Sequence, residues 1–267
     1  MLHFHPLKVK ALKKETRECI SVHFDIPEDK KDLFEYKHGQ YLTLKTIIDG
    51  EEVRRSYSIC TSPLDNQLGV AIKTIPDGKF SNYAYSSLKV GDVVEVMPPL
   101  GKFTTDLQPE NKKNYFFVAA GSGITPVMSI VKTILMTEPG SKITLLYGNK
   151  NKGSIIFKEE FEALKNKYMN RMSVYYILSK ETADAEILSG RIDTTKLNYF
   201  LDKIIDPAIL DECFLCGPEE LILGAKESLL NAGVDLKKIH FELFTTAGAQ
   251  LAKKENTAKA AISDGPV

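Results

Sequence analysis

The chain has 267 residues, a length that suits two domains of ordinary size, and its 43% hydrophobic and 26% charged residues are typical of a globular protein. Basic and acidic residues each number 35, so the net charge is zero and indicates neither a nucleic-acid nor a membrane partner. The N-terminus lacks a signal-peptide core, no apolar run could span a bilayer, and four cysteines are too few for a disulfide framework. These features predict a cytoplasmic protein.

Residues 1–107 combine short apolar runs with turn signals. Strands are predicted at Tyr41–Thr46, Ser56–Cys60, Leu68–Ile75 and Val93–Val96, and one short helix at Phe80–Leu88. The residue pairs that tight turns require stand between these runs, as Asp49-Gly50, Asp77-Gly78 and Gly91-Asp92. Many short strands with little helix predict a small antiparallel β-barrel.

The pattern changes after a polar segment at residues 108–114, which we interpret as a linker. From residue 115 to 244, apolar runs alternate with helical stripes such as the one formed by Phe157, Phe161, Leu164 and Tyr168. Strands are predicted at Tyr115–Ala120, Lys142–Tyr147, Met172–Leu178, Glu212–Cys216 and Ile239–Leu243. This alternation predicts an α/β domain with an open, parallel, five-stranded sheet.

Residues 245–267 are rich in alanine, lysine and glycine and have no apolar period that could bury a face. We interpret them as a linker or a disordered tail. A helix over Ala249–Ala261 is the alternative, because alanine and lysine favour helix.

The first stretch that carries chemistry is Arg55-Ser56-Tyr57-Ser58, on a predicted barrel strand. Side chains alternate along a strand, so Arg55 and Tyr57 share one face and the two serines share the other. A planar aromatic cofactor stacks on aromatic rings, and a guanidinium group pairs with phosphates. The pattern is typical of a flavin site, although a half-exposed strand with a core tyrosine would have the same residues.

A second stretch follows on the next strand and turn, from Ile72-Lys73 to residues 78–81. Gly78 permits a tight turn and Ser81 begins a helix. Backbone N–H groups at the start of a helix bind phosphate, and the Ser81 hydroxyl is expected to add a donor. We interpret the turn as a cradle for a flavin pyrophosphate; a capped surface helix is the alternative.

The glycine-rich loop at residues 121–126, with the sequence Gly-Ser-Gly-Ile-Thr-Pro, directly follows the first strand of the second domain. Ligands of α/β sheets bind at the carboxyl ends of the strands. Thr125 is expected to cap the following helix and Pro126 to lie in its first turn. Pro126 stands where a G-x-G-x-x-G fingerprint has its third glycine, so the loop alone is weak evidence of a dinucleotide site.

The stretch Cys216-Gly217-Pro218 ends the fourth strand of the second domain. Gly217 lets a ligand approach the backbone, and Pro218 begins the next helix. Cys213 and Cys216 form a C-x-x-C pair, so a zinc site, a redox dithiol and a merely buried Cys216 are alternatives. A second pair of zinc ligands is lacking, and redox dithiols lie at helix starts rather than inside strands. No metal site is predicted.

In their order and spacing, R-x-Y-S, G-x-x-S, G-x-G-I-x-P and C-G-P resemble the ferredoxin–NADP reductase superfamily, from residue 1 to about residue 245. The stretches RSYSICTSP and VAIKTIPDGKFSNYAY are more similar still to oxygenase reductases of the phenylacetyl-CoA epoxygenase type. Those relatives continue into a plant-type ferredoxin domain, whose C-x4-C-x2-C spacing the four cysteines here do not match. We therefore expect a truncated form of a longer reductase.

The resemblance implies FAD and NADPH as cofactors, with NADH as the alternative. Residues implied to bind FAD are Arg55, Ser56, Tyr57 and Ser58, the backbone of Ile72 and Lys73, the turn Gly78, Lys79, Phe80 and Ser81, and Phe244. Residues implied to line the dinucleotide cleft are Gly121, Ser122, Gly123, Thr125, Cys216, Gly217 and Pro218. Ser179 and Lys180 match a Ser-Arg pair that holds the NADP 2′-phosphate in relatives, and Arg191 is expected to add charge.

The resemblance also implies a mechanism, in which hydride passes from NAD(P)H to FAD and electrons leave singly. The implied catalytic residues are Ser58 beside the flavin N5, Cys216 at the nicotinamide, and Glu242 relaying or balancing charge. The implied acceptor is an iron–sulfur partner that serves an oxygenase: a [2Fe–2S] domain missing from this chain, or a separate ferredoxin. A stand-alone ferredoxin or flavin reductase and a non-catalytic flavin-binding protein remain the alternatives.

Overall fold

The computed structural model describes residues 3–183 and 185–244. The expected tail at 245–267, with its helical alternative, lies outside the described residues. Within the described part of the chain, no helix is both long enough and apolar enough to cross a membrane.

Among its described residues, the first domain contains six strands and one α-helix. They are β1 (His5–Thr16), β2 (Cys19–Asp25), β3 (Tyr41–Ile48), β4 (Glu51–Ser58), β5 (Leu68–Lys73), α1 (Lys79–Ser86) and β6 (Val93–Val96). The strands form one antiparallel sheet in the order β4-β3-β6-β1-β2-β5. Ile59, just after β4, bridges to Val70 of β5, so the sheet curls back on itself. The predicted antiparallel barrel is confirmed.

The alternation of buried and exposed residues forms the barrel core. In β1, Leu7 and Val9 are buried, whereas the lysines next to them are exposed. Strands β1 and β2 are not among the strands named from the sequence. In β1, lysines alternate with the apolar residues and interrupt the apolar run. The β3–β4 hairpin turns at Asp49 and Gly50, which have φ values of 52° and 77° and therefore provide the left-handed backbone that such turns need.

The described part of the second domain contains five strands and four α-helices. They are β7 (Asn114–Ala120), α2 (Ile124–Thr137), β8 (Lys142–Asn149), α3 (Lys158–Lys167), β9 (Met172–Leu178), α4 (Thr194–Lys203), β10 (Glu212–Gly217), α5 (Glu219–Asn231) and β11 (Ile239–Leu243). The strands form a parallel sheet in the order β11-β10-β7-β8-β9, which confirms the predicted sheet. The chain winds outward from β7 in both directions, so the strand order reverses between β7 and β10.

Helices cover both faces of this sheet. Side chains of α2 and α3 pack with one face, and side chains of α4 and α5 pack with the other. Sequence analysis did not name α4. Its apolar residues Leu197, Phe200 and Leu201 are buried, but they form only a short stripe in a helix of 10 residues. The central strands β7 and β10 are therefore buried on both faces, as is usual for parallel strands.

The two domains meet along helix α2, through buried hydrogen bonds. The Ser129 hydroxyl donates to the carbonyl oxygen of Thr61 at 2.6 Å, and the hydroxyls of Ser62 and Thr133 lie 2.9 Å apart. Phe103, which follows the barrel, packs edge-on against Phe214 of β10. These contacts hold the barrel against α2 and β10 of the second domain.

Candidate functional site

The flavin-side residues lie on strand β4. Tyr57 is half-buried, and its ring packs against Phe80 with centroids 5.6 Å apart. Arg55 is exposed two residues earlier, and its guanidinium donates to the neighbouring carbonyl of Arg54. Because strand side chains alternate, Arg55 and Tyr57 project from the same face. An aromatic ring and a guanidinium group therefore project from the same face of the barrel wall.

The turn before α1 presents backbone donors. Asp77 has a φ of 58°, and the first hydrogen bond of the helix runs from the N–H of Asn82 to the carbonyl of Gly78. The N–H groups of residues 79–81 precede that bond and so have no partner within the helix. The Ser81 hydroxyl, which we expected to donate to a phosphate, instead donates to the Gly78 carbonyl at 3.2 Å. The Lys79 ammonium forms an ion pair with Glu51.

The three expected catalytic residues converge where the domains meet. The buried Ser58 hydroxyl donates to a carboxylate oxygen of Glu242 at 3.4 Å. Glu242 lies in β11, in register with Cys216 of β10. Burial raises the pKa of the Glu242 carboxyl to about 7. The barrel strand that carries Tyr57 is thereby joined to the last strand of the parallel sheet.

Cys216 is completely buried, so its thiol does not line the cleft described below. Burial and the nearby Glu242 raise the thiol pKa well above its ordinary value, and burial raises the pKa of Cys213 to about 12. Both cysteines are free thiols. Within residues 3–183 and 185–244, no group of three or more His, Cys, Asp and Glu side chains is arranged to hold a metal.

A cleft of about 1050 Å³ lies at the carboxyl edge of the parallel sheet, and barrel residues form part of its wall. Residues from the sequence prediction that line it are Lys73, Gly121, Ser122, Ser179, Arg191, Gly217, Pro218 and Phe244. The cleft opens above the point where the strand order reverses, the usual place for a ligand in an open α/β sheet. Its volume and position fit a dinucleotide.

The other residues predicted for the cleft do not line it. An ideal Cβ on Gly123 would stand 2.2 Å from the Cys216 carbonyl oxygen, so Gly123 packs the loop directly on β10. Thr125 is buried and does not cap α2, because Gly123 precedes the helix and the Thr125 hydroxyl donates to the Ser122 carbonyl at 3.0 Å. Lys180 is exposed, and its N–H donates to the carbonyl of Lys150.

Two lysines of the cleft wall have positions that the sequence did not predict. Lys73 was expected to act through its backbone, but its ammonium lies about 4.0 Å from an ideal Cβ on Gly121 and 3.7 Å from the Glu18 carboxylate. Lys150 directly follows β8 and also lines the cleft. The signal for Lys150 was available, because residues that follow neighbouring parallel strands meet at one edge of the sheet.

The residues present fit both expected cofactors. The barrel wall provides a ring and a guanidinium group beside the donors of a helix start, which suit an aromatic ring system with a pyrophosphate. The cleft provides bare backbone at Gly121 and Gly217; at Gly217, φ is 156° and an ideal Cβ would lie 3.2 Å from the N of Ala120. Lys73, Lys150 and Arg191 provide positive charge for phosphate groups.

Comparison with known families supports this division into two sites. Residues 6–105 match the family described as the oxidoreductase FAD-binding domain. Residues 117–227 match the oxidoreductase NAD-binding domain. The two matches fall on the barrel and on the α/β domain respectively, so the chain consists of an FAD-binding unit followed by an NAD-binding unit.

Curated relatives include components of two oxygenase systems. One component of 1,2-phenylacetyl-CoA epoxidase from Escherichia coli (strain K12) is 41% identical over 256 residues, which are 96% of this chain and 72% of the relative. The ferredoxin reductase component of 3-ketosteroid-9-alpha-monooxygenase from Rhodococcus rhodochrous is 35% identical over 243 residues, 90% of this chain and 65% of the relative. The chain thus spans about two thirds to three quarters of the length of these two proteins.

Solved structures share the fold. The FAD/NAD-binding domain of nitric oxide dioxygenase from Vibrio cholerae O1 biovar El Tor matches with a TM-score of 0.78 at 24% identity, over 91% of this chain and 99% of that one. A ferredoxin NADP+ reductase from Neisseria gonorrhoeae, solved with FAD and NADP, matches with a TM-score of 0.76 at 20% identity, over 90% and 98% of the two chains. The chain is therefore an oxidoreductase that belongs to the ferredoxin–NADP reductase family of FAD- and NAD-binding proteins.

Proposed function

We propose that this chain transfers hydride from NAD(P)H to FAD and delivers electrons singly to an iron–sulfur acceptor that serves an oxygenase. The Ser58–Glu242 hydrogen bond carries the proposal, because it joins the strand of Tyr57 to the parallel sheet beside the cleft. The proposed FAD half-site on the barrel and the proposed dinucleotide half-site on the α/β domain therefore adjoin each other. FAD, when bound, supplies the chemistry that converts an electron pair from NAD(P)H into single electrons.

The flavin half-site is assigned to residues 1–107, and the dinucleotide half-site to residues 115–244. Tyr57 supplies an aromatic face, and Arg55 supplies a guanidinium for the pyrophosphate. The N–H groups of residues 79–81 complete the anion site at the start of α1. Phe244 lies at the end of β11, on the cleft wall, and closes the site from the other domain.

Ser58 and Glu242 are assigned the transfer of the proton that accompanies flavin reduction. A carboxyl group with a pKa of about 7 exchanges its proton readily at neutral pH, and the Ser58 hydroxyl is hydrogen-bonded to it. Cys216 holds its own proton, because burial keeps its thiol neutral, and it packs beneath the cleft in register with Glu242. We assign proton transfer to Ser58 and Glu242, and to Cys216 a place in the packing beneath the dinucleotide cleft.

The charge around Ser179 supports NADPH rather than NADH as the preferred donor. Lys150 and Arg191 line the cleft together with Ser179. Lys180 does not line the cleft, but its backbone N–H donates to the carbonyl of Lys150, so its backbone lies beside that residue. The positive charges of Lys150 and Arg191 suit a 2′-phosphate, although lysine lacks the planar fork with which arginine pairs bidentately.

The proposed acceptor follows from the named relatives. The component of a phenylacetyl-CoA epoxidase and the reductase component of a ketosteroid monooxygenase both belong to oxygenase systems. We infer that this chain feeds an oxygenase of the phenylacetyl-CoA epoxidase type, supported by 41% identity over 96% of its length. The electrons reach that oxygenase through a [2Fe–2S] centre, on a fused domain or on a separate ferredoxin.

Anaerobic stopped-flow spectroscopy tests the proposal. FAD-loaded protein is mixed with NADPH or NADH, and bleaching of the flavin band is expected with both, faster with NADPH. Tyr57→Ala should lower FAD affinity about tenfold or more, because stacking and burial of the ring are lost. Cys216→Ala should slow flavin reduction while the protein remains yellow. Tyr199→Ala, at an exposed tyrosine on α4, is the control and should behave like wild type.

Three outcomes of this experiment discriminate between the alternatives. A protein that stays colourless when FAD is supplied would refute the flavin site. Bound flavin that neither nucleotide reduces would favour the non-catalytic flavin-binding protein. Rapid reduction followed by efficient transfer to free flavin, with none to a plant-type ferredoxin, would favour the stand-alone flavin reductase over the oxygenase partner.

A further inference from the structure

Tyr147 is fully buried near the end of β8, beneath the loop that begins at Gly121. Its hydroxyl donates to the carbonyl oxygen of Gly121 at 3.2 Å and accepts from the N–H of Ile156 at 3.2 Å. Both partners are backbone groups, one in the loop after β7 and the other in the loop after β8. One buried hydroxyl therefore holds together two loops at the carboxyl edge of the sheet.

The bond to Gly121 fixes the direction of a peptide plane. In a trans peptide, the C=O of one residue and the N–H of the next point in opposite directions. Because the Gly121 carbonyl points inward to Tyr147, the N–H of Ser122 points outward, and both residues line the cleft. This N–H stands just before helix α2, which has 14 residues, where donors favour an anionic group.

We propose that Tyr147 is a positioning residue that locks the Gly121–Ser122 peptide with its N–H toward the pyrophosphate of the nicotinamide dinucleotide. The Gly121 carbonyl also accepts from the N–H of Ile124 within the turn, so the Tyr147 hydroxyl is a side-chain contact that ties this turn to β8. Gly121 has a φ of 54° and carries no Cβ, so without the hydroxyl the turn can tilt and move the Ser122 N–H out of line with the anionic ligand. The inference rests on the proposed function, since it takes the cleft as the dinucleotide site.

Tyr147→Phe tests the lock, with Tyr176→Phe as the matched control. Tyr176 lies on β9 with its ring 6.2 Å from that of Tyr147, and its hydroxyl is buried without a hydrogen-bond partner among the described residues. Binding of ADP-ribose, which carries the pyrophosphate but no nicotinamide, is measured by calorimetry on FAD-loaded protein. We expect the Kd of ADP-ribose to rise about tenfold in Tyr147→Phe, because the Ser122 N–H then loses its oriented hydrogen bond to the charged pyrophosphate. Tyr176→Phe should match wild type.

Steady-state kinetics separates positioning from general destabilisation. In Tyr147→Phe, KM for the nicotinamide donor should rise about tenfold while kcat and the flavin spectrum stay near wild type. Unchanged KM and unchanged ADP-ribose affinity, in a variant that has merely lost thermal stability, would overturn the proposal. Wild-type protein that binds no ADP-ribose at all would instead refute the proposed function.

Amide hydrogen exchange gives a test that needs no variant. In wild-type protein, ADP-ribose should slow exchange at the Ser122 N–H, which faces the cleft. The Ile156 N–H should exchange slowly with or without the ligand, because the Tyr147 hydroxyl already accepts from it. Exchange at Ser122 that is unaffected by saturating ADP-ribose would show that this N–H does not face the ligand, and would overturn the proposal.

Discussion

At the scale of single residues, Glu242 gives the clearest prediction. Its carboxyl has a pKa raised to about 7 by burial and is bonded to Ser58 across the domain junction. If this group holds the proton during reduction, the rate of flavin reduction should change with an apparent pKa near 7. Glu242→Gln cannot ionise, so its rate should be nearly independent of pH between about 6 and 8. Glu227→Gln, at an exposed position on α5, should keep the wild-type profile.

Stability measurements give an independent check on the same carboxyl group. A carboxyl whose pKa is raised by folding contributes stability that is present below its ordinary pKa and is lost as the pH rises through about 7. Urea unfolding should therefore show Glu242→Gln gaining stability relative to wild type as the pH rises from about 5 to about 8. An equal difference at both pH values, or a kinetic inflection that survives in Glu242→Gln, would contradict the assignment.

At the scale of elements, the close contact between the Gly121 loop and β10 sets the position of helix α2. An ideal Cβ on Gly123 would lie 2.2 Å from the Cys216 carbonyl oxygen and 2.8 Å from the N of Gly217. Gly123→Ala should push the loop off the strand, destabilise the protein by about 1–3 kcal/mol and weaken ADP-ribose binding at least tenfold. FAD content should be unchanged, because the Gly123 contact is with Cys216 and Gly217 and not with the residues assigned to FAD on β4 and at the start of α1.

Gly153→Ala is the control for that substitution. An ideal Cβ on Gly153 meets nothing closer than 3.5 Å, an ordinary van der Waals distance. The control should therefore bind ADP-ribose and unfold like wild type. Calorimetry and urea unfolding measure both effects, and a Gly123→Ala variant that is indistinguishable from Gly153→Ala would show that the loop tolerates displacement.

The elements also show what sequence reasoning can and cannot predict here. Strands β9 and β11 have the predicted bounds, because short runs rich in β-branched and aromatic residues identify strands even at the edges of a sheet. The start of α2 was predicted incorrectly, since a threonine before a helical run resembles a cap. The structure places Gly123 before the helix because only a residue without a side chain fits against β10. That constraint comes from a strand distant in the sequence and leaves no local pattern.

At the scale of the whole molecule, the same distinction applies to the site. Three of the four contiguous stretches contribute predicted residues to the cleft wall, because each bears glycine, serine or lysine residues whose chemistry is local; these residues are Lys73, Gly121, Ser122, Gly217 and Pro218. Lys73, Tyr147 and Lys150 were missed or misassigned, since their roles depend on how the barrel approaches the sheet and how neighbouring strands align. Contacts between residues that are distant in the sequence leave no periodic pattern in a single sequence.

The connection between the domains depends on one buried carboxylate, that of Glu138. It accepts hydrogen bonds from the Asn111 side chain at 2.7 Å, the Gln108 N–H at 3.2 Å, the Tyr115 hydroxyl at 2.9 Å and the Ser141 hydroxyl at 2.6 Å. Asn111 and Gln108 lie in the expected linker, and Tyr115 begins the parallel sheet. A fully satisfied buried acceptor of this kind holds the linker in one conformation.

Glu138→Gln should therefore lower the stability of the whole molecule, although it preserves the volume of the side chain. If the new NH2 group takes the Oε1 position, it faces the N–H donors of Asn111 and Gln108; if it takes the Oε2 position, the Tyr115 and Ser141 hydroxyls must accept instead of donate, and the Tyr115 O–H loses its acceptor. Either arrangement leaves a buried donor unpaired and costs about 2 kcal/mol. For a chain of this length, that loss lowers Tm by roughly 4–8 °C in thermal unfolding followed by circular dichroism. Glu110→Gln changes an exposed residue of the same linker and should have the same Tm as wild type. Equal Tm values for the two variants would mean that the linker is held by packing alone.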